Sequence, residues 1–292
     1  MADYNFNVTN GRTLIQHPET TSVSDNDYLY LWQGNALKRV SVKNLTSGLS
    51  TLTSTGAYAH NSVARGACLG SSLTDEQSTN IRNGSFNGLY LLDYWTINSV
   101  NWRIVAFDYY YGTGDQGHIH MCTTHHVVAV PDSQLYTIAY NATDTTAGGY
   151  VGSDLYKTGL DKAKTIVTAA FGSGHVLTHR NYLHNAVTNG MPSGGAWFDS
   201  TVELMTEENV YGNKQWASSV RGDDSGVDLY EVDKSQYPGF AVAPNLQIIS
   251  NQWYWLRDVS GASCFASALG DGSSDRNNAS SVHGVRPAVC IY

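Results

Sequence analysis

Apolar and polar positions alternate with a period of two over Asp27–Trp32 (DYLYLW) and again over Leu37–Val42 (LKRVSV), on either side of Gly34-Asn35. Successive side chains of an extended chain point to opposite faces, so this pattern predicts a small β-hairpin. A lone two-stranded hairpin is marginal in water and needs a surface to pack on. Residues 1–55 are therefore expected to form an attachment or oligomerisation arm. In the connecting segment 56–85, Thr74 followed by Asp75 and Glu76 predicts a short capped helix that stops at Gly84. The strongest β pattern follows: Gly88–Asn98 and Trp102–Tyr111, two aromatic and β-branched runs around Asn98-Ser99, read as a hairpin. His118–Val130 reads as a third strand, stopped by Pro131-Asp132.

From Ser153 the period changes. Leu155, Leu160, Ala163, Ile166, Val167 and Ala170 recur at helical spacing, with Ser153 and Asp154 at the start and Gly172 just past the end. One amphipathic helix of about four turns is expected. Val176–Thr178 has β character, Arg180–Val187 reads as a short helix, and Trp197–Met205 reads as a strand followed by a solvated acidic turn at Glu207-Glu208. Residues 212–237 read as a long loop. Strands first, helices in the middle and strands at the end define an α+β chain with an antiparallel sheet.

The C-terminal tract, 251–292, opens on WYWLR (253–257) and closes on GVRPAVCIY (284–292). Both ends have strand character. Alternation places Trp253, Trp255 and Arg257 on one face and Tyr254 and Leu256 on the other. Between them, residues 258–283 are almost wholly Ser, Ala, Gly, Asn and Asp, which predicts a displayed loop.

Composition narrows the function classes. Of 292 residues, 14% are charged and the formal net charge is −8, so the Lys/Arg surplus that a nucleic-acid partner needs is missing. No run approaches the length of a membrane span, and the start lacks the layout of a signal peptide, so synthesis in a bacterial cytoplasm without membrane insertion is expected. The four cysteines, Cys68, Cys122, Cys264 and Cys290, show no zinc spacing and read as buried thiols, with a Cys264–Cys290 disulfide the alternative.

ELMTEENVYG (203–212), WYWLR, a Gly/Ser/Asn-rich insert and GVRPAV, in that order, resemble a domain of gut Firmicutes and their phages related to the C-type-lectin fold. The resemblance spans about residues 86–292. It implies a ligand-binding domain whose Trp-Leu-Arg and Arg-Pro strands pair and frame the binding face. The chain is also similar to the variable proteins of diversity-generating retroelements, whose C-terminal residues are rewritten largely within the set that fills 258–283. The N-terminal SDNDYLYLWQGNALKRVSVKNL resembles the attachment segment of phage tail proteins. Together these imply a homotrimeric receptor-binding protein of the phage virion that joins other tail components through residues 1–55 and reads a bacterial surface protein or glycan, working without a cofactor.

The residues expected to contact that ligand are Tyr254, Asp258, Ser260, Ser263, Phe265, Ser267, Asp271, Ser273, Asp275, Asn277, Asn278 and His283. Tyrosine and tryptophan with Ser, Asn and Gly make the rigid yet adaptable composition of antibody paratopes. Arg257 and Arg286 read as framework residues that engage buried carboxylates or carbonyls. Two other classes stay open: a structural baseplate or decoration protein without ligand, and an enzyme of the formylglycine-generating-oxidase or carbohydrate-active kind. Neither a nucleophile elbow, a P-loop nor a zinc-protease motif is present. His118 and His120 have the form of a metal pair, Asp271–Asp275 the oxygens for calcium, and Asp199 with Glu207 and Glu208 a carboxylate set. Each reads more simply as ordinary polar surface, so no catalytic or metal residue is expected.

Overall fold

The computed structural model describes residues 28–33, 36–42, 56–112, 122–217 and 235–292. The chain divides into two compact units, Met1–Leu52 and Thr53–Tyr292. In the first, β1 (Tyr28–Gln33) and β2 (Ala36–Ser41) form the expected antiparallel hairpin, with Tyr28 opposite Ser41. The turn at 34–35 and the Ser/Thr-rich run after it lie outside the described residues.

The larger unit is mixed α+β and holds the segment 56–85 as well as the remainder. Thr74 caps the helix Asp75–Arg82 as expected: its hydroxyl accepts the Gln77 N–H while the Gln77 side chain accepts the Thr74 N–H. β3 (Tyr94–Ile97) and β4 (Val100–Phe107) pair around Asn98 and Ser99, which both take positive φ (51° and 64°). That backbone matches the right-handed twist of the strands it joins. The third strand, β5, is shorter than expected (Val127–Pro131), and His118 and His120 lie outside the described residues.

Two five-stranded sheets organise the unit. The first has the order β3-β4-β5-β14-β9, with β9 at Val202–Leu204 and β14 at Pro287–Ile291. The second has the order β12-β11-β10-β13-β6: β6 is Tyr136–Ala139, β10 Tyr254–Val259, β11 Cys264–Ala268, β12 Ser274–Asn278 and β13 Val282–Val285. All pairs are antiparallel except β10 with β13, a departure from the purely antiparallel expectation.

The central strands are buried on both faces. In β10, Trp255 and Val259 enter one hydrophobic cluster while Tyr254 and Leu256 enter the other. β5 splits likewise, Val127 and Ala129 against Val128 and Val130, and so does β14, Val289 and Ile291 against Ala288 and Cys290. A strand with a core on each side loses the polar-out half of its alternation.

Four local expectations are corrected. The single helix from Ser153 is a π-helical turn, Leu155–Gly159, followed by the α-helix Asp161–Phe171. The 180–187 segment is no helix: β7 (His179–Thr188) pairs with β8 (Met191–Ser200) across Asn189-Gly190, again at positive φ (52° and 78°). Gly190 also has to be small, because a Cβ there would lie 2.8 Å from the Ala262 nitrogen in the β10–β11 turn. The acids after β9 are no open turn either: Thr206 caps a helix, Glu207–Tyr211, and Glu207 is fully buried. Last, the span 258–283 is chiefly strand, not displayed loop, since β11 and β12 pair in continuous register from Cys264↔Asn278 to Ala268↔Ser274.

The implied pairing of the two closing strands is also redistributed. β13 runs beside β10, but at Arg286 the chain crosses to the other sheet, where β14 pairs with β5 and β9. Arg286 is 1% exposed; its guanidinium donates to Pro131 O (2.9 Å), Leu246 O (2.7 Å) and Tyr254 OH (3.3 Å). It is the carbonyl-binding framework residue expected from sequence.

Candidate functional site

Among the described residues, strand β12 forms an edge of the second sheet, with β11 its one neighbour there. Because side chains alternate, Asp275 and Asn277 face one side of that edge and Ser274 and Arg276 the other. Asn277 Nδ2 donates to Ser267 Oγ (2.8 Å) on β11, and Ser267 stands in register with both Asp275 and Trp255. On β13, the His283 ring meets Trp255 at 4.4 Å and Trp253 at 5.3 Å. Trp253 is 42% exposed, so the sheet carries an aromatic surface beside an imidazole and, two strands away on β12, a carboxylate and a carboxamide. Burial pushes the His283 pKa down, opposed by the charge of Asp275.

The opposite side of the edge is built on Glu207. Its buried carboxylate accepts the N–H groups of Gln215 (3.0 Å), Trp216 (3.0 Å) and Ala217 (2.7 Å) and the hydroxyl of Ser274. The Glu207 N–H donates in turn to Asp258 Oδ2 (2.6 Å). These bonds lay segment 215–217 along β12. Trp216 Nε1 donates to Ser274 O (2.9 Å), and the Arg276 guanidinium sits 5.1 Å from the Trp216 ring centre. The far end of β12 is pinned as well, since Asn278 Nδ2 and the Ser280 N–H both donate to Asp144 (3.1 and 3.0 Å). Hydrogen bonds from Ser280 hold the Asp144 carboxyl below its usual range.

The twelve residues expected at the ligand face divide accordingly. Tyr254, Asp258, Ser260, Phe265 and Ser267 are buried and are corrected to framework. Phe265 stacks on Tyr140 at 3.6 Å, and Tyr254 donates to Gln247 O. Ser260 belongs to a turn clamped from outside, where Thr146 Oγ1 donates to Gly261 O (2.7 Å). Asp275, Asn277 and Asn278 lie on the β12 edge, whereas His283 lies on β13, with β10 and β11 between it and β12. Asp271 and Ser273 are exposed in the β11–β12 turn, where the Asp271 carboxylate takes the Ser273 hydroxyl and N–H, and Ser263 is half-buried at the start of β11. Trp253, Trp216, Arg276 and Asp144 were not anticipated at the site. The solitary tryptophan in NKQWASS was the available signal for Trp216.

Among the described residues, no three His, Cys, Asp or Glu groups are placed to hold a metal ion. The cysteines are free thiols; Cys122 and Cys290 are buried, Cys264 is half-buried, and Cys68 is exposed, contrary to expectation. His125 and His126 are engaged with Asp108. His125 Nδ1 lies 2.7 Å from Asp108 Oδ2, and the His126 N–H donates to Asp108 Oδ1.

The His126 ring carries a pH prediction. Its Nε2 accepts the Tyr110 N–H (3.2 Å), so Nδ1 bears the proton and donates to Thr124 O (3.0 Å). Burial lowers its pKa to about 4; Thr124 O and Asp108 oppose the shift, and His179 and His125 reinforce it. The unfolded chain therefore binds the proton first as pH falls. The stabilisation is full above the unfolded value of about 6.5 and declines between there and pH 4, by about 3 kcal/mol in total. Urea midpoints taken at pH 7.5, 5.5 and 4.5 should fall in that order, and His126→Gln should flatten the fall.

Comparison with protein-family models, with curated proteins and with solved structures finds no match to the chain.

Proposed function

We propose that the chain is a recognition protein, of the receptor-binding kind found on phage tails, whose larger unit has a C-type-lectin-like arrangement and reads a bacterial surface polymer or protein with the β12 edge. The observation that carries this reading is the edge itself. It is a short polar strand presenting Asp275 and Asn277 on one side and Arg276 on the other, held in place by Ser267, Glu207 and Asp144, with the exposed Trp216 ring against it and the exposed Trp253 ring before β10, two strands away in the same sheet. Rigid aromatic surface beside amide, hydroxyl and charged groups is the chemistry of adaptable recognition. Such a surface binds without first paying to order itself. The layout of two sheets, with the last strand in the interior of one and a Trp-Leu-Arg strand central in the other, is in keeping with the lectin-like arrangement. The hairpin of the smaller unit is in keeping with an attachment arm.

The test is binding of the purified full chain to a panel of bacterial cell envelopes. Saturable binding to a subset is expected, and the double variant Trp253→Ala/Asn277→Ala should weaken it at least tenfold with an unchanged unfolding midpoint. No binding across the panel, or equal binding by the double variant, would overturn the reading and favour a structural virion protein.

A further inference from the structure

The ligand's chemical class is read from one arginine of the larger unit. Of the arginines described in the larger unit, Arg65 pairs with Asp93, Arg103 with Asp132 and Arg180 with Asp199, while Arg82 and Arg286 donate to carbonyls. Arg257 is engaged inside the protein. Arg276 differs. It is exposed, and none of its guanidinium N–H groups meets an acceptor among the described residues. Its contact is the Trp216 ring, at 5.1 Å.

Among the described residues, the nearby acids do not neutralise it. Glu207 is buried and saturated by donors, Asp271 is turned onto Ser273, and Asp275 points to the other side of β12, using Oδ1 on the Arg276 backbone N–H (2.8 Å). In a chain of formal net charge −8, an arginine held open on a tryptophan is a site waiting for an anion. A planar guanidinium presents paired donors that match two oxygens of a carboxylate or phosphate, and an aromatic backing keeps water from one side of it. The ledge is also built in advance, because Trp216 is tied to Ser274 O and its own N–H to Glu207.

We propose that Arg276 on its Trp216 ledge is the subsite for the anionic group, carboxylate or phosphate, of a surface polymer read by the β12 edge. This inference rests on the recognition reading given above. The full chain should be titrated with polygalacturonate, with poly(glycerol phosphate) and with neutral dextran. One of the two anionic polymers is expected to bind, and which one identifies the group; binding should weaken as NaCl rises. Arg276→Ala should lower that affinity at least tenfold without moving the unfolding midpoint, and Arg276→Lys, which keeps charge but loses the fork, should recover it only in part. Binding of dextran alone, or anionic binding unchanged in Arg276→Ala, overturns the inference. If neither anionic polymer binds while cell envelopes still do, and Trp253→Ala/Asn277→Ala abolishes that, the anionic subsite fails and the recognition reading stands. If neither polymers nor envelopes bind, both fail.

Discussion

Arg286→Ala should destabilise the larger unit by about 3–5 kcal/mol, the largest single-residue effect expected away from the aromatic core. The reason is its position rather than its charge. Arg286 sits where the chain leaves β13 for β14, and its guanidinium gives N–H groups to oxygens from three separate stretches: Pro131 O at the end of β5, Leu246 O, and Tyr254 OH on β10. Its charge lies within about 5 Å of two ring centres, Tyr254 (5.1 Å) and Phe240 (5.4 Å), which partly replace lost hydration. Removing it leaves these oxygens buried without donors and opens a void between the sheets. Arg286→Met fills most of that void but supplies no donor, so it should fall between wild type and alanine. Guanidinium unfolding followed by near-ultraviolet circular dichroism measures the series; a loss below about 1 kcal/mol for alanine would show that water satisfies the three oxygens.

Glu207→Gln should cost about 2–3 kcal/mol and, in addition, loosen the recognition edge. The carboxylate accepts three backbone N–H groups and the Ser274 hydroxyl. A carboxamide is nearly the same shape, but half of its polar end is a donor, so some of those N–H groups would face another N–H. Hydrogen bonds to a charged acceptor contribute more than neutral ones, and leaving the donors unmet adds their desolvation. The distinguishing readout is local: amide exchange at 215–217 and along β12 should accelerate well beyond what the change in global stability produces. Uniform acceleration throughout the unit would mean that Glu207 supports the fold without specially holding the edge.

Much of the framework was legible because its signals are local. Thr74 with its acidic first turn, the Asn98-Ser99 turn between aromatic runs, and the apolar stripe ending at Gly172 each specify a conformation from a few neighbouring residues. Asn189-Gly190 is a signal of the same kind, and it joins the two strands of the 179–200 hairpin where Arg180–Val187 reads as a short helix. The candidate site was only half legible. The tract 251–292 does carry the edge, but five of its twelve expected contacts are buried. Ser267 and Asp258 have the composition of a loop, yet one stands in the register of a paired strand and the other accepts the Glu207 N–H from 51 residues away.

By itself, the sequence determined an α+β chain with a separate N-terminal hairpin, a helix capped by Thr74, β-rich aromatic runs, a buried arginine framework and a polar C-terminal tract. Those follow from periodicity and turn chemistry, which act over a few residues. Only the tertiary structure decided that Ser, Ala and Asn of 264–278 are strands, that Arg286 marks a crossing between sheets, and that Trp216 and Arg276 share one ledge. A weak strand former becomes a strand when a paired neighbour supplies its hydrogen bonds, and a side chain becomes accessible or buried according to which elements cover it. Both depend on contacts between residues far apart in the chain.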